Sequence, residues 1–143
     1  MTTVVDASVA CKWFIRETHS EEAEALLAEG ESLIAPDLLV PEICNVGCLK
    51  LRRKEITFEQ ASAMVAGVRL FVDAFTPSIE LSSRALVIAD KLAHPAYDCF
   101  YLALAELRDC RLATADRRLV QRLSGTEWSK RIMGIGFQGG AEG

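Results

Sequence analysis

The chain has 143 residues, half of them hydrophobic and a quarter charged, which is the composition of one folded domain and excludes disordered and fibrous classes. Its net charge of −4 argues against general electrostatic attraction to nucleic acid, although metal-binding carboxylates would also lower the charge of a nuclease. No apolar run approaches the roughly 20 residues of a membrane span, and the N-terminus lacks the features of a signal peptide, so we predict a cytoplasmic protein without membrane contact.

Strands and helices alternate through the first two thirds of the chain. The β-branched run at residues 2–5 predicts a strand that ends at Asp6, and Ser8 is placed to cap a helix over residues 9–15. The further predicted elements are a helix over 19–29, a strand over 32–35, a helix over 36–54 with Pro41 distorting its first turn, a helix over 58–68 capped by Thr57, a strand over 71–75 and a helix over 79–93 capped by Ser78.

The most apolar stretch of the chain begins behind Asp98. Residues 99–107 are apolar on nearly all sides, which predicts a helix buried inside the domain. A short strand at 112–114 follows, and Asp116 stands between this strand and a helical pattern over 117–123. The run therefore has one carboxylate at its start and another just beyond the next strand.

The alternation of strands and helices predicts an α/β fold with a central parallel sheet of four to five strands covered on both faces. A weak pattern at 132–135 is the candidate fifth strand. We expect one domain over residues 1–135 and a flexible tail over the glycine-rich residues 136–143.

Four carboxylates map to one edge of this predicted sheet, where ligands of such sheets bind. They are Asp6 after the first strand, Glu42 on the helix after the second, Asp98 before the fourth and Asp116 after it. Each has an ordinary alternative: helix caps for Asp98 and Asp116, an Asx turn for Asp6, a solvated helix position for Glu42. Glu42 fits its alternative least, because apolar residues surround it and Asn45 shares its helix face.

Converging carboxylates repel one another, so at least one is expected to have a raised pKa without metal. Hard oxygen ligands suit Mg²⁺ or Mn²⁺, which can assist hydrolysis of a phosphodiester. The sequence offers no glycine-rich phosphate loop, no G-x-S-x-G motif and no histidine expected near the acids. Metal-assisted hydrolysis is the reaction class that remains.

The five cysteines include no C-x-x-C pair, and we predict buried structural thiols. Cys44 and Cys48 could form half of a zinc site, but only His19 and His94 are available to complete it.

The segments VVDAS (4–8), PEICNV (41–46), YDCFYLALAE (97–106) and TADRRL (114–119) resemble, in order and separation, the motifs of PIN-domain ribonucleases, in particular the VapC-type toxins. The resemblance implies a three-layer α/β/α sandwich whose acids Asp6, Glu42, Asp98 and Asp116 bind Mg²⁺ or Mn²⁺ and cleave RNA. Ser8 and Thr114 match hydroxyl positions that support the metal site. The resemblance further implies a homodimer and a VapB-type antitoxin that blocks the site, often with a basic side chain.

Basic residues beside the acids are candidate phosphate contacts, which position RNA without reading its sequence. Lys12 and Arg16 follow Asp6, and Arg117 and Arg118 follow Asp116. Ordinary solvated helix charge is an equally good interpretation of all four.

The sequence leaves two alternatives from other function classes. A non-catalytic RNA- or protein-binding module could use the same fold. A small-molecule phosphatase is disfavoured, because Asp6 is followed by Ala7 and Ser8 with no second aspartate two residues later.

Overall fold

The computed structural model describes residues 1–137, which form a five-stranded, entirely parallel sheet between two layers of helices. The strands are β1 (Thr2–Val5), β2 (Ser32–Pro36), β3 (Ala74–Thr76), β4 (Arg111–Thr114) and β5 (Ile132–Gly134). Their order is β3-β2-β1-β4-β5, which puts β1 at the centre. The predicted α/β sandwich and its parallel sheet are confirmed.

In the described part of the chain, seven α-helices connect and cover the strands. They are α1 (Ala7–Ala10), α2 (Ser20–Ala28), α3 (Leu39–Arg52), α4 (Phe58–Phe71), α5 (Ser82–Leu92), α6 (Ala96–Arg108) and α7 (Arg117–Leu123). Successive strand residues point to opposite faces of a sheet, and here each face has its own apolar cluster. Val4 packs with α5, α6 and α7 on one face, whereas Val5 packs with α1 to α4 on the other.

Helix α6 is the buried helix that the sequence predicted. Tyr101 and the four residues after it are at most 2% exposed, so the middle of the helix is enclosed by α5 on one side and the sheet on the other. This enclosure fixes the N-terminal turn of α6, which carries Asp98, against the carboxyl ends of the central strands.

The first helix begins earlier than predicted, and the predicted cap is wrong. Asp6, not Ser8, is the N-cap of α1, because its carboxylate accepts a hydrogen bond from the backbone N–H of Val9. After Ala10 the chain continues as a short 3₁₀ turn over Cys11–Trp13.

The strand predicted over 71–75 is shorter in the structure, because α4 extends to Phe71. The ring of Phe71 packs against Trp13 and Phe14, which makes the helical continuation favourable. The strand that remains is Ala74–Thr76. The Thr57 cap of α4 is confirmed as a complete capping box with Gln60.

Two other predicted features of the helices differ. Ser78 opens a 3₁₀ turn and binds the Asp37 carboxylate with its backbone N–H (3.0 Å), while α5 begins only at Ser82. Pro41 is the third residue of α3, where a backbone N–H needs no helical partner, so the helix is continuous through it.

The cysteine prediction is partly wrong. Cys11 and Cys99 are buried as expected, but Cys44 and Cys48 are exposed, because α3 turns Leu39, Ile43 and Gly47 toward the core instead.

Within residues 1–137, no group of three or more His, Cys, Asp or Glu side chains is spaced to hold a metal ion in the observed conformation. The half zinc site considered for Cys44 and Cys48 therefore finds no completing ligands there. In the same part of the chain, no helix is long and apolar enough to cross a bilayer. Of the predicted tail, Phe137 lies under the guanidinium of Arg117, 5.2 Å from ring centroid to carbon, and residues 138–143 lie outside the described residues.

Candidate active site at the carboxyl edge of the sheet

Asp6 directly follows β1. Hydrogen bonds from the residues after β1 and from the end of the neighbouring strand β4 hold its side chain. Its side chain is almost fully buried. One carboxylate oxygen accepts from the Ser8 hydroxyl (2.6 Å) and the Val9 N–H (3.2 Å), and the other accepts from the Thr114 hydroxyl at the end of β4. Both oxygens are therefore oriented.

The two hydroxyls also tie β1 to the chain that leaves β4. Ser8 Oγ accepts from the Ala115 N–H (2.8 Å), and Thr114 Oγ1 accepts from the Asp116 N–H (3.1 Å). Ser8 and Thr114 thus both contact Asp6. They also fix the backbone at Asp116.

Burial dominates the electrostatics of Asp6. The pKa of Asp6 is raised to about 7, mainly by desolvation; its hydrogen bonds lower the pKa, and the charge of Asp98 adds to the rise. The predicted raised pKa is confirmed in direction, but its main cause is burial and not repulsion between like charges.

Glu42 meets α6 through Tyr101. Tyr101 is only 1% exposed, and its hydroxyl donates a hydrogen bond to a Glu42 carboxylate oxygen. Burial raises the pKa of Glu42 despite this bond, and the charge of Asp98 adds to the shift. Burial and the charges of Glu42, Asp6 and Asp98 raise the pKa of the Tyr101 hydroxyl, so it remains a donor. Tyr101 therefore lies among three acids.

Asp98 is the third residue of α6 and not its cap, because Pro95 precedes the helix. Its carboxylate lies 2.6 Å from Nε2 of His94. The expectation that no histidine lies near the acids is therefore wrong. Ala93 ends α5 in the left-handed conformation (φ 50°), and this turn brings His94 back onto the first turn of α6.

Asp116 is the N-cap of α7, one of the two alternatives that the sequence left open. One carboxylate oxygen accepts from the N–H groups of Arg118 (3.0 Å) and Leu119 (3.3 Å). This cap uses Oδ1, so the second oxygen can serve a ligand without loss of the cap.

The donor chemistry of this edge fits a hard divalent cation. The carboxylates of Asp6 and Glu42 are partly dehydrated, and each interacts electrostatically with Asp98. Mg²⁺ and Mn²⁺ prefer carboxylate oxygens as ligands. In the observed rotamers each carboxylate instead turns to its own hydrogen-bond partner. The described residues contain no ready-made group of metal ligands in this conformation.

The four basic candidates fall into two pairs. Lys12 is largely buried and binds Glu17 (3.1 Å), and Arg16 binds Glu24 (2.8 Å), so both cations already have acidic partners. Arg117 and Arg118 are exposed directly behind Asp116.

Two polar residues of this site were missed as site residues. Tyr101 was visible in the sequence only as a polar interruption of the apolar run 99–107. His94 stands four residues before Asp98. Residues with this spacing share a face when both lie in one helix, but His94 lies in the turn between α5 and α6.

Known proteins resemble this chain in sequence and in fold. Residues 3–124 match the PIN domain family. The chain is 32% identical over 124 residues to "Ribonuclease VapC3" of Pyrobaculum aerophilum, which covers 85% of this chain and 95% of that protein.

Three solved structures share the fold. PAE2754 of Pyrobaculum aerophilum has a TM-score of 0.62 and 22% identity, over 88% of this chain and 82% of that one. VapC20 of Mycobacterium tuberculosis, described as a sarcin-ricin loop cleaving toxin, has a TM-score of 0.61 and 20% identity, over 80% of this chain and 90% of that one. VapBC-1 of nontypeable Haemophilus influenzae has a TM-score of 0.59 and 13% identity, over 94% of this chain and 98% of that one. At these identities the structures establish the fold alone.

Proposed function

The chain belongs to the PIN-domain family and is a homologue of VapC ribonucleases, and from that membership we propose that it is a metal-dependent endoribonuclease that acts as the toxin of a toxin–antitoxin pair. The observation that carries the proposal is the proximity of three acids from distant parts of the chain. The charge of Asp98 raises the pKa of both Asp6 and Glu42 at the carboxyl edge of the sheet.

Asp6, Glu42, Asp98 and Asp116 are the proposed ligands of Mg²⁺ or Mn²⁺. When bound, such an ion supplies positive charge that stabilises the charge developing on a phosphodiester during hydrolysis. The raised pKa values support this assignment, because an adjacent cation favours the charged carboxylates that burial disfavours.

The residues around the acids orient them. Ser8 and Thr114 hold the two oxygens of Asp6, and Tyr101 holds Glu42 through its hydroxyl. His94 holds Asp98. Hydrogen-bond partners of this kind orient metal ligands and tune them.

Arg117 and Arg118 are the proposed phosphate contacts, because both are exposed next to Asp116. They would bind the RNA backbone without selecting a sequence. Lys12 and Arg16 are weaker candidates, since binding phosphate would require each to leave an acidic partner.

The proposed biological partners are a VapB-type antitoxin and a second copy of the chain. A basic antitoxin side chain entering the site would compensate the charge of the acids, as a metal would. We place both the RNA substrate and the antitoxin in the cytoplasm. Sedimentation velocity tests the dimer: a single species at the monomer mass of 15.7 kDa would contradict it.

Incubation of the purified chain with structured RNA tests the activity. Cleavage is expected with Mg²⁺ or Mn²⁺, and it should disappear with EDTA and in Asp98→Asn. Asp90→Asn is the matched control, because Asp90 is an exposed aspartate on the neighbouring helix α5, and it should cleave normally. Cleavage that survives both EDTA and Asp98→Asn would come from another site or a contaminant and would contradict the proposal.

A non-catalytic RNA-binding module is the second candidate, favoured by the absence of a preformed ligand group in residues 1–137 and by the capping role of Asp116. It predicts RNA binding that persists in Asp6→Asn and weakens in Arg117→Ala, with no cleavage under any metal condition.

A further inference from the structure

An open cleft of about 400 Å³ lies directly beside the acidic residues. Ala7 of α1, one residue after Asp6, is among its lining residues. Its remaining lining residues are Leu38, Pro41, Glu42, Asn45, Val46 and Tyr97. The cleft therefore joins the three elements that carry Asp6, Glu42 and Asp98.

The walls of the cleft are mostly apolar, with polar groups at a few points. Leu38, Pro41 and Val46 supply aliphatic surface from α3 and the turn before it. Tyr97 supplies an aromatic ring that is 63% exposed. Asn45, also exposed, supplies an amide that can donate and accept hydrogen bonds. A flat ligand with apolar faces and a polar edge matches this combination.

The charges of the cleft argue against a phosphate as its occupant. Its lining includes the Glu42 carboxylate and no lysine or arginine. A phosphate would be repelled there, whereas an uncharged heterocycle would not. Under the proposed function the phosphodiester would lie at the acids with their bound metal ion, and the cleft is lined by residues of the same elements.

We propose that this cleft is a nucleobase subsite, in which an unstacked base of the RNA next to the cleaved phosphate lies on the Tyr97 ring while the Asn45 amide hydrogen-bonds its edge. Unstacked bases of single-stranded or looped RNA are recognised in this way, by stacking on aromatic rings and by hydrogen bonds to their edges. The link to a cleaved phosphate rests on the proposed function. Binding of a base does not, and it can be measured separately.

Saturation-transfer NMR with AMP, CMP, GMP and UMP tests the subsite, with ribose 5-phosphate as the probe that lacks a base. EDTA is present, so that neither metal binding nor cleavage contributes. Wild type is expected to saturate the base protons of at least one nucleotide. Tyr97→Ala should weaken that binding by at least about fivefold, the lower end of the effect of one stacked base.

Three variants complete the design. Tyr97→Phe keeps the ring and should bind like wild type. Phe58→Ala removes another strongly exposed aromatic ring, on α4, and should change nothing. Asn45→Ala should reduce the differences in affinity among the four nucleotides, because it removes the group that contacts the base edge.

Each outcome decides the subsite. Base saturation that is lost in Tyr97→Ala and kept in the two control variants supports it. Absent base saturation, equal signals from ribose 5-phosphate, or unchanged binding by Tyr97→Ala overturns it and leaves the cleft to another occupant, such as a partner peptide.

The same samples separate this inference from the proposed function. If the nucleotides bind through Tyr97 but the wild type with Mn²⁺ cuts no RNA, the subsite stands and the nuclease fails. If RNA is cut but no base binds, the nuclease stands and the subsite fails.

Discussion

The imidazole Nε2 of His94 lies 2.6 Å from a carboxylate oxygen of Asp98, and the turn that carries His94 is itself fixed. The His94 N–H donates to the carbonyl of Ala89 (3.2 Å), and the Arg122 guanidinium donates to the carbonyl of Leu92. Since Arg122 belongs to α7, which starts at Asp116, this turn joins the elements that carry two of the acids.

His94→Leu is therefore expected to lower Mn²⁺ affinity by about 10- to 100-fold, the usual effect of losing a partner of a metal ligand. His94→Gln retains a donor and should recover most of the affinity. Calorimetric titration measures both variants, and His19→Leu, a half-exposed histidine that contacts Glu22, is the control. Unchanged Mn²⁺ affinity in His94→Leu would show that the contact does not prepare Asp98.

Tyr101→Phe is expected to lower the free energy of unfolding by about 1–3 kcal/mol, because it removes the hydroxyl that donates to the partly buried Glu42 carboxyl. Urea unfolding of the metal-free protein measures the loss. Tyr97→Phe, which removes the hydroxyl of an exposed tyrosine, should cost nothing measurable. A Tyr101→Phe variant as stable as the wild type would mean that the hydroxyl does not hold Glu42.

The raised pKa of Asp6, about 7, predicts how the stability of the metal-free protein depends on pH. Below about pH 4 the carboxyl is protonated in the folded and unfolded states, and its favourable contribution is complete. Between pH 4 and 7 only the unfolded state ionises, so the free energy of unfolding falls as pH rises.

Asp6→Asn cannot ionise, so the variant should gain stability relative to wild type as pH rises from 4 to 8. Three pKa units set an upper limit of about 4 kcal/mol on this gain. Denaturant unfolding of both proteins in EDTA across this range measures it. A stability difference that is independent of pH would contradict the raised pKa of the buried Asp6 carboxyl.

Thr57→Ala tests a feature of the fold that lies outside the site. It removes the capping box of α4 and should lower the free energy of unfolding by about 1 kcal/mol. Mn²⁺ affinity should not change. Thermal unfolding and calorimetry on one preparation measure both quantities, and a fall in Mn²⁺ affinity would show that the start of α4 is coupled to the acids.

Local signals were sufficient for much of the fold. The bounds of β1 and α7 agree with the predictions, because a β-branched run ends at Asp6 and a capping aspartate opens the last α-helix. The strand predicted at 71–75 begins later than predicted for a tertiary reason: Phe71 ends α4 and packs against the rings of Trp13 and Phe14. Contacts so distant in sequence leave no local pattern.

The site was predicted less completely than the fold. The motifs singled out the four acids of the candidate site, but the bond from Thr114 to Asp6 joins residues 108 positions apart. The contact of His94 with Asp98 depends on the left-handed conformation of Ala93. An alanine in the sequence does not indicate that conformation. Burial, and not charge crowding, proved the main cause of the raised pKa of Asp6, because burial follows from packing that the sequence does not display.

Calorimetric titration of Mn²⁺ into the folded wild-type protein tests the central claim most directly, with Asp98→Asn measured beside it. Saturable binding to the wild type that is lost or weakened at least tenfold in Asp98→Asn is the predicted result. A wild-type sample with a normal circular dichroism spectrum that registers no Mn²⁺ binding would contradict it.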